Sequence, residues 1–176
     1  SGTLATMGPG VPYAIGAKWA HPDRPSIALV GDGAMQMNGL AELITVSHYW
    51  QQWTDPRLIV AILHNDDLNQ VTWEMRAMEG APKFAASQTL PNVDYAAFAR
   101  SIGLGGINVE KTDEVGPAWE RALAADHPTV LDIRCDPDVP PIPPHATFEQ
   151  AKAAGMSVLM GDEDRWGFVK QGLKQK

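Results

Sequence analysis

The sequence is poor in cysteine and in basic side chains. Its one cysteine, Cys135, cannot form a disulfide within the chain, so the cysteine content gives no sign of an oxidising compartment. The 14 lysines and arginines are outnumbered by 21 aspartates and glutamates, which leaves a formal charge of -7. Because surfaces that bind nucleic acid or anionic membranes are normally basic, this balance argues against both as general partners.

Long hydrophobic runs are also missing. No apolar run approaches the roughly 20 residues of a membrane-spanning helix, and the first residues lack the basic start of a signal peptide. The 5 histidines show no zinc spacing, and we find neither a Ser-His-Asp order nor an internal repeat. With 176 residues, 44% of them hydrophobic, the chain can form one domain with a proper core. We expect a cytoplasmic protein, and the sequence does not indicate membrane association.

Two polar clusters stand out, and each directly follows an apolar run typical of a buried strand. Residues 26–30 lead into Gly31-Asp32-Gly33, and residues 58–63 lead into His64-Asn65-Asp66-Asp67. Strands alternate with helical patterns along most of the chain, which predicts a parallel sheet covered on both faces. Since consecutive parallel strands end at the same edge of a sheet, the two clusters are predicted to meet at the carboxyl-end crevice where such folds bind ligands.

The side chains of these clusters predict a site for a hard cation. The carboxylate of Asp32 and the amide of Asn65 suit Mg²⁺, which is usually held by one or two protein groups plus the phosphates of a ligand. Gly31 and Gly33 allow close approach of a ligand to the backbone. Ala34 is predicted to begin a helix whose free N–H groups receive a phosphate. The alternative is that residues 65–67 only form a turn and cap the next helix.

These residues resemble the motifs of the thiamine diphosphate (ThDP) enzymes. In that family a Gly-Asp-Gly triplet is followed further along by Asn-Asn or a close variant, and here the triplet at residues 31–33 is followed by His64-Asn65. The upstream stretch at residues 2–12 adds to the match, which covers roughly residues 4–136. The resemblance implies an α/β fold, with a doubly wound parallel sheet and helices on both faces.

The family's site residues carry over to matching positions. Mg²⁺ would be held by the side chains of Asp32 and Asn65 and by the backbone carbonyl of Asp67. The backbone carbonyl of Ala5, where many relatives have glycine, would accept a hydrogen bond from the cofactor's amino group. Met7 would bend the cofactor into a V shape. His64 replaces the first asparagine and is predicted to be a packed, hydrogen-bonding residue. The implied cofactor-binding residues are Ala5, Met7, Gly31, Asp32, Gly33, Ala34, Asn65 and Asp67.

Two positions on the predicted helix at residues 68–76 bear on the reaction. Val71 stands where simple 2-oxoacid decarboxylases carry glutamate. Glu74 matches a glutamate of pyruvate oxidase-like members, where acetolactate synthases tend to have tryptophan, although an exposed Glu74 could equally pair with a lysine or arginine. The resemblance thus implies oxidative decarboxylation of a 2-oxoacid such as pyruvate, as in pyruvate oxidase or pyruvate dehydrogenase (quinone). The alternatives are an acetolactate synthase-like carboligase and a non-catalytic cofactor-binding subunit.

The chain opens directly inside a family motif, so we expect a C-terminal fragment of a longer protein. Residues 1–136 are predicted to form the diphosphate-binding domain, and residues 137–176 a proline-rich extension with a helical tail. In the family the activating glutamate lies on a separate pyrimidine-binding domain of the same or a second subunit. We therefore expect no catalytic residue here and an inactive fragment. The resemblance also implies a homodimer or homotetramer and allows FAD in the parent protein.

Overall fold

The computed structural model describes residues 6–141 and 147–174. Four parallel strands form one sheet in the order β1-β2-β4-β3. Both strands predicted before the polar clusters are found, and each extends one residue further than expected. The predicted α/β fold with a parallel sheet is confirmed. The strands are β1 (Ser26–Gly31), β2 (Leu58–His64), β3 (Gly105–Val109) and β4 (Thr129–Arg134).

Helices alternate with these strands. The helix after β1 begins at Asp32 rather than at Ala34, and it continues through a π-helical segment, Met35–Gly39. A second π-helical segment, Met75–Glu79, extends α4. Within the described part of the chain, no helix combines the length and apolar character needed to cross a bilayer. The helices are α1 (Gly10–Ala20), α2 (Asp32–Ala34), α3 (Leu40–Tyr49), α4 (Asn69–Glu74), α5 (Ala85–Gln88), α6 (Tyr95–Ser101), α7 (Val115–Ala124), α8 (Phe148–Leu159) and α9 (Arg165–Lys174).

The chain divides into two compact units. The first unit comprises Ser1–His64 and Asn92–Cys135, and it contains the whole sheet. The second comprises Asn65–Pro91 and Asp136–Lys176, and it is helical. The boundary falls directly after β2, so the predicted cluster at residues 64–67 is split between the units.

Helices cover both faces of the sheet in the first unit. On β2, Val60 and Ile62 pack in a core with α1, α3 and α6, whereas Ile59 and Ala61 pack in a second core with α7. A strand buried on both faces is apolar at every position, which explains why β2 shows a continuous run rather than alternation. Each fully buried aliphatic side chain of these cores stabilises the fold by about 1.5–3 kcal/mol. The predicted doubly wound arrangement is confirmed.

Close packing of α6 against β3 depends on Gly106. A Cβ at this position would overlap the backbone carbonyl of Ala96. We expect Gly106→Ala to lower the free energy of unfolding by about 1–3 kcal/mol, because overpacking forces backbone shifts. Urea denaturation measures this change. Gly116→Ala is the matched control, since its Cβ would meet no described atom within 4 Å. Equal effects of the two substitutions would contradict the packing explanation.

Candidate functional site

The first polar cluster lies at the carboxyl end of β1. Asp32 is only 2% exposed and occupies the first turn of a helix, where a negative charge is favoured by the unpaired N–H groups. The amide of Gly33 donates to Asp32 Oδ1 at 2.9 Å. Ala34, expected to start the helix, lies within this first turn. Gly31 pairs in register with Leu63, so β1 and β2 end at the same edge of the sheet.

The second polar cluster forms a tight turn at the start of the second unit. Asn65 Oδ1 accepts a hydrogen bond from the amide of Asp67 at 3.2 Å. Asp66 has a φ of 57°, in the left-handed region that few residues other than glycine adopt. The N-cap of α4 is Leu68, without a side-chain cap. The predicted turn is therefore present, but it does not cap the next helix.

Backbone hydrogen bonds hold this turn and do not involve the carbonyl of Asp67. Asp67 and Thr89 form an isolated antiparallel bridge. Its hydrogen bonds run from the amide of Leu68 to the Gln88 carbonyl at 2.8 Å and from the amide of Leu90 to the Asp66 carbonyl at 2.9 Å. The bridge thus does not occupy the carbonyl of Asp67, which is the atom that the family resemblance assigns to the metal.

The carboxylate of Asp67 is buried and has three donors in the second unit. Lys83 Nζ lies 3.1 Å from Oδ1, and Thr72 Oγ1 donates to the same oxygen at 3.1 Å. Asn69 Nδ2 donates to Oδ2 at 3.2 Å. These groups engage the side chain of Asp67, so a metal ligand at this position would come from the backbone.

A buried hydrogen-bond network supports Asp32 from within the first unit. His64 Nδ1 lies 2.7 Å from Asp132 Oδ1, and the amide of Tyr95 donates to Asp132 Oδ2 at 3.0 Å. The Tyr95 hydroxyl donates to the Asp32 carbonyl at 3.3 Å and accepts from Gln36 Nε2 at 2.9 Å. His64 is thus the packed, hydrogen-bonding residue that the sequence predicted. The rest of the network was not predicted, although a carboxylate in the apolar β4 run was a usable signal.

The remaining predicted site residues lie outside the two polar clusters. Ala5 lies outside the described residues, and Met7 is about half exposed just before α1. Val71 and Glu74 are exposed on α4. Glu74 accepts a hydrogen bond from Gln70 Nε2 at 3.0 Å, and the alternative pairing with a lysine or arginine is not found among the described residues. The structure thus groups residues 31–34 in the first unit and residues 65–67 in the second, and the meeting of the two clusters stays a prediction.

The donor atoms fit a hard cation and a diphosphate. A carboxylate at a helix start, a side-chain amide and a backbone carbonyl are all oxygen ligands that Mg²⁺ prefers. The space beside Gly31 is open, because a Cβ there would meet no described atom within 4 Å. Burial raises the pKa of the Cys135 thiol, so a thiolate ligand for a softer metal is disfavoured.

Comparison with known proteins gives the family. Residues 1–133 match the family model described as "Thiamine pyrophosphate enzyme, C-terminal TPP binding domain". This chain belongs to the thiamine pyrophosphate enzyme family. Thiamine pyrophosphate is another name for ThDP, so the predicted family and its cofactor are confirmed. The chain contains the cofactor-binding domain of such an enzyme.

Three relatives from this family illustrate the range of the match. The protein YdaP of Bacillus subtilis, named as thiamine pyrophosphate-containing, is 37% identical over 99% of this chain and 29% of its own length. The acetolactate synthase large subunit of Haemophilus influenzae is 33% identical over 77% of this chain and 23% of its own length. The mitochondrial acetolactate synthase catalytic subunit of Saccharomyces cerevisiae is 31% identical over 81% and 20%. The chain therefore spans less than a third of each of these family members.

Proposed function

We propose that this domain binds ThDP with Mg²⁺ as part of an acetolactate synthase-like carboligase that acts on a 2-oxoacid such as pyruvate. The observation that carries this proposal is the similarity to acetolactate synthases at 33% and 31% identity. It favours the alternative over the oxidative decarboxylation that the sequence indicated first. The oxidase hypothesis depended on Glu74, and the names of the relatives support neither an oxidase nor FAD.

In this proposal Mg²⁺ is held by the side chains of Asp32 and Asn65 and the backbone carbonyl of Asp67. The helix start at Gly33 and Ala34, with Gly31 before it, receives the diphosphate, because N–H groups at a helix start favour anions. Support comes from the burial of Asp32 and from the Asp67 carbonyl that the Thr89 bridge spares. Ala5 and Met7 are proposed to contact the organic part of the cofactor.

ThDP, held through Mg²⁺ by Asp32, Asn65 and the Asp67 carbonyl, would supply a carbanion-forming thiazolium ring that can take up the electrons released when a 2-oxoacid loses CO₂. The protein holds and orients this group. The network from His64 and Asp132 through Tyr95 fixes the backbone at Asp32, so that its carboxylate keeps one position. Such outer contacts commonly set metal affinity. Val71 and Glu74 are proposed to lie on the substrate side.

The rest of the enzyme is also a proposal. Residues 1–136 are proposed to form the diphosphate-binding domain and residues 137–176 its extension. A pyrimidine-binding domain of the same or a second subunit would supply the activating glutamate, within a homodimer or homotetramer. The isolated chain is then expected to be inactive.

Product analysis of the full-length protein tests the reaction. With pyruvate, ThDP and Mg²⁺ and no electron acceptor, we expect acetolactate and CO₂ as products. EDTA is the control and should stop product formation. Acetate that appears only with a quinone or another electron acceptor would instead support the oxidase alternative. Absence of any product from folded protein that binds ThDP would support a non-catalytic subunit.

A further inference from the structure

A cluster of mostly buried opposite charges in the second unit surrounds Lys83, whose side chain is only 10% exposed. Lys83 Nζ lies 3.1 Å from Asp67 Oδ1 and 3.4 Å from Asp164 Oδ2. The backbone amide of Lys83 donates to Asp162 Oδ2 at 2.9 Å. One lysine therefore joins the turn at residues 65–67, through Asp67, to the segment at residues 162–164 near the C-terminus.

The same C-terminal segment is anchored by Arg76. Its guanidinium binds Asp162 through Nε at 2.8 Å and Nη2 at 2.6 Å, and Nη2 also lies 3.1 Å from Asp164 Oδ2. Arg76 and Asp162 are both 1% exposed. Because a buried guanidinium and carboxylate in this fork arrangement are strongly directional, Asp164 is held in place beside Lys83.

The turn that Lys83 contacts needs such support. Asp66 is held in the left-handed region, and conformations of this kind persist only where surrounding contacts determine them. The bridge to Thr89 holds the backbone on one side. The carboxylate of Asp67 is held by two neutral donors, Thr72 and Asn69, and by the positive charge of Lys83.

Removal of that positive charge has a clear electrostatic consequence. The carboxylate of Asp67 would stay buried without its cation and would lie near the carboxylate of Asp164. A buried unpaired charge is costly, so the turn would shift to let Asp67 reach water. When the turn shifts, the backbone carbonyl of Asp67 moves with it.

We propose that Lys83 is a positioning residue: bonded to Asp67 and Asp164, it holds the turn at residues 65–67 in its metal-binding conformation and ties it to the C-terminal segment. The inference rests on the proposed function, in which the Asp67 carbonyl is a ligand of Mg²⁺. It makes the C-terminal segment a determinant of metal affinity, although that segment supplies no ligand.

Mg²⁺ titrations of ThDP binding to the full-length protein test this role. We expect Lys83→Met to raise the Mg²⁺ concentration for half-maximal ThDP binding by about tenfold or more, as loss of an outer contact to a metal ligand commonly does. Lys83→Arg should recover most of the affinity because it keeps the charge. Lys152→Met, at an exposed lysine on α8, is the matched control and should bind as the wild type does.

Asp164→Asn is a second variant for the case in which Lys83→Met does not fold. Its side chain is 38% exposed, so its substitution is compatible with folding. We expect a smaller rise in the Mg²⁺ requirement in the same direction. A lowered melting temperature with unchanged Mg²⁺ dependence in these variants would show a purely structural role and overturn the proposal. If the wild type itself shows no Mg²⁺-dependent ThDP binding, the proposed function fails as well, so the two failures are distinguishable.

Discussion

Replacement of Asp32 by alanine in the full-length protein is expected to abolish Mg²⁺-dependent ThDP binding while the fold is retained. Asp32 is the one side-chain carboxylate among the three proposed ligands, so its loss removes the charge that attracts the metal. We expect the dissociation constant of ThDP in the presence of Mg²⁺ to rise by more than about 100-fold, since changes in outer contacts alone cost 10–100-fold. Calorimetric titration with Mg²⁺ and then with EDTA measures the effect.

Two further variants complete this test. Asn65→Ala should weaken binding in the same direction, because it removes the amide ligand. Asp113→Ala is the matched control, since it removes an exposed carboxylate at a short 3₁₀ helix of the first unit. Circular dichroism checks that each variant is folded. Unchanged ThDP affinity in folded Asp32→Ala would show that the metal site lies elsewhere.

Arg76→Met should lower the free energy of unfolding by about 3–5 kcal/mol, the usual cost of removing one partner of a buried ion pair. The substitution keeps a side chain of similar length but leaves the carboxylate of Asp162 buried without its guanidinium. Denaturant titration measures the loss. Arg121→Met, at an exposed arginine of α7, is the control and should change stability by less than about 0.5 kcal/mol.

A double substitution separates pairing from packing. Arg76→Met with Asp162→Leu removes both charges, so it should recover much of the stability lost in the single variant. A single variant as stable as the wild type would contradict the importance of this pair.

The same pair should make stability depend on pH. Burial alone would raise the pKa of Asp162, but hydrogen bonds from Arg76 and from the Lys83 amide outweigh it and hold this pKa below its ordinary value. A carboxyl whose pKa is lowered in the folded state contributes stability above its unfolded pKa of about 4, and this contribution is lost as the pH falls through the folded pKa. The wild type should therefore lose more stability on acidification than Arg76→Met does.

Much of the fold was predictable from the sequence because its signals are local. The apolar runs before the two polar clusters predicted β1 and β2, each to within one residue of its end. The helices were predicted less completely than these strands. The short helix α5 was not predicted, since 4 residues give little periodicity, whereas the helical tail predicted within residues 137–176 contains α8 and α9.

The candidate site was predictable only as a set of residue types. Asp32, Asn65 and Asp67 were proposed as ligands from their motifs, and His64 was predicted to be packed and hydrogen-bonded because it replaces an asparagine. The left-handed conformation of Asp66 had only a weak sequence signal, because aspartate is enriched in this region but is ordinarily found at negative φ. Glu74 illustrates the limit for chemistry: its motif match indicated an oxidase, whereas two relatives of this chain are named as acetolactate synthases.

By itself, the sequence predicted the family and the parallel α/β sheet, both of which are confirmed, because spacing and hydrophobic pattern record what happens between near neighbours in the chain. The oxygen-rich ligand set that it also indicated stays a proposal. Only the tertiary structure decided that Asp132 joins His64 to Tyr95, that Arg76 is paired with Asp162, and that Lys83 holds Asp67. Arg76 and Asp162 are 86 residues apart in sequence. Such contacts depend on how folding buries charges together, and a one-dimensional pattern contains no record of which buried charge meets which.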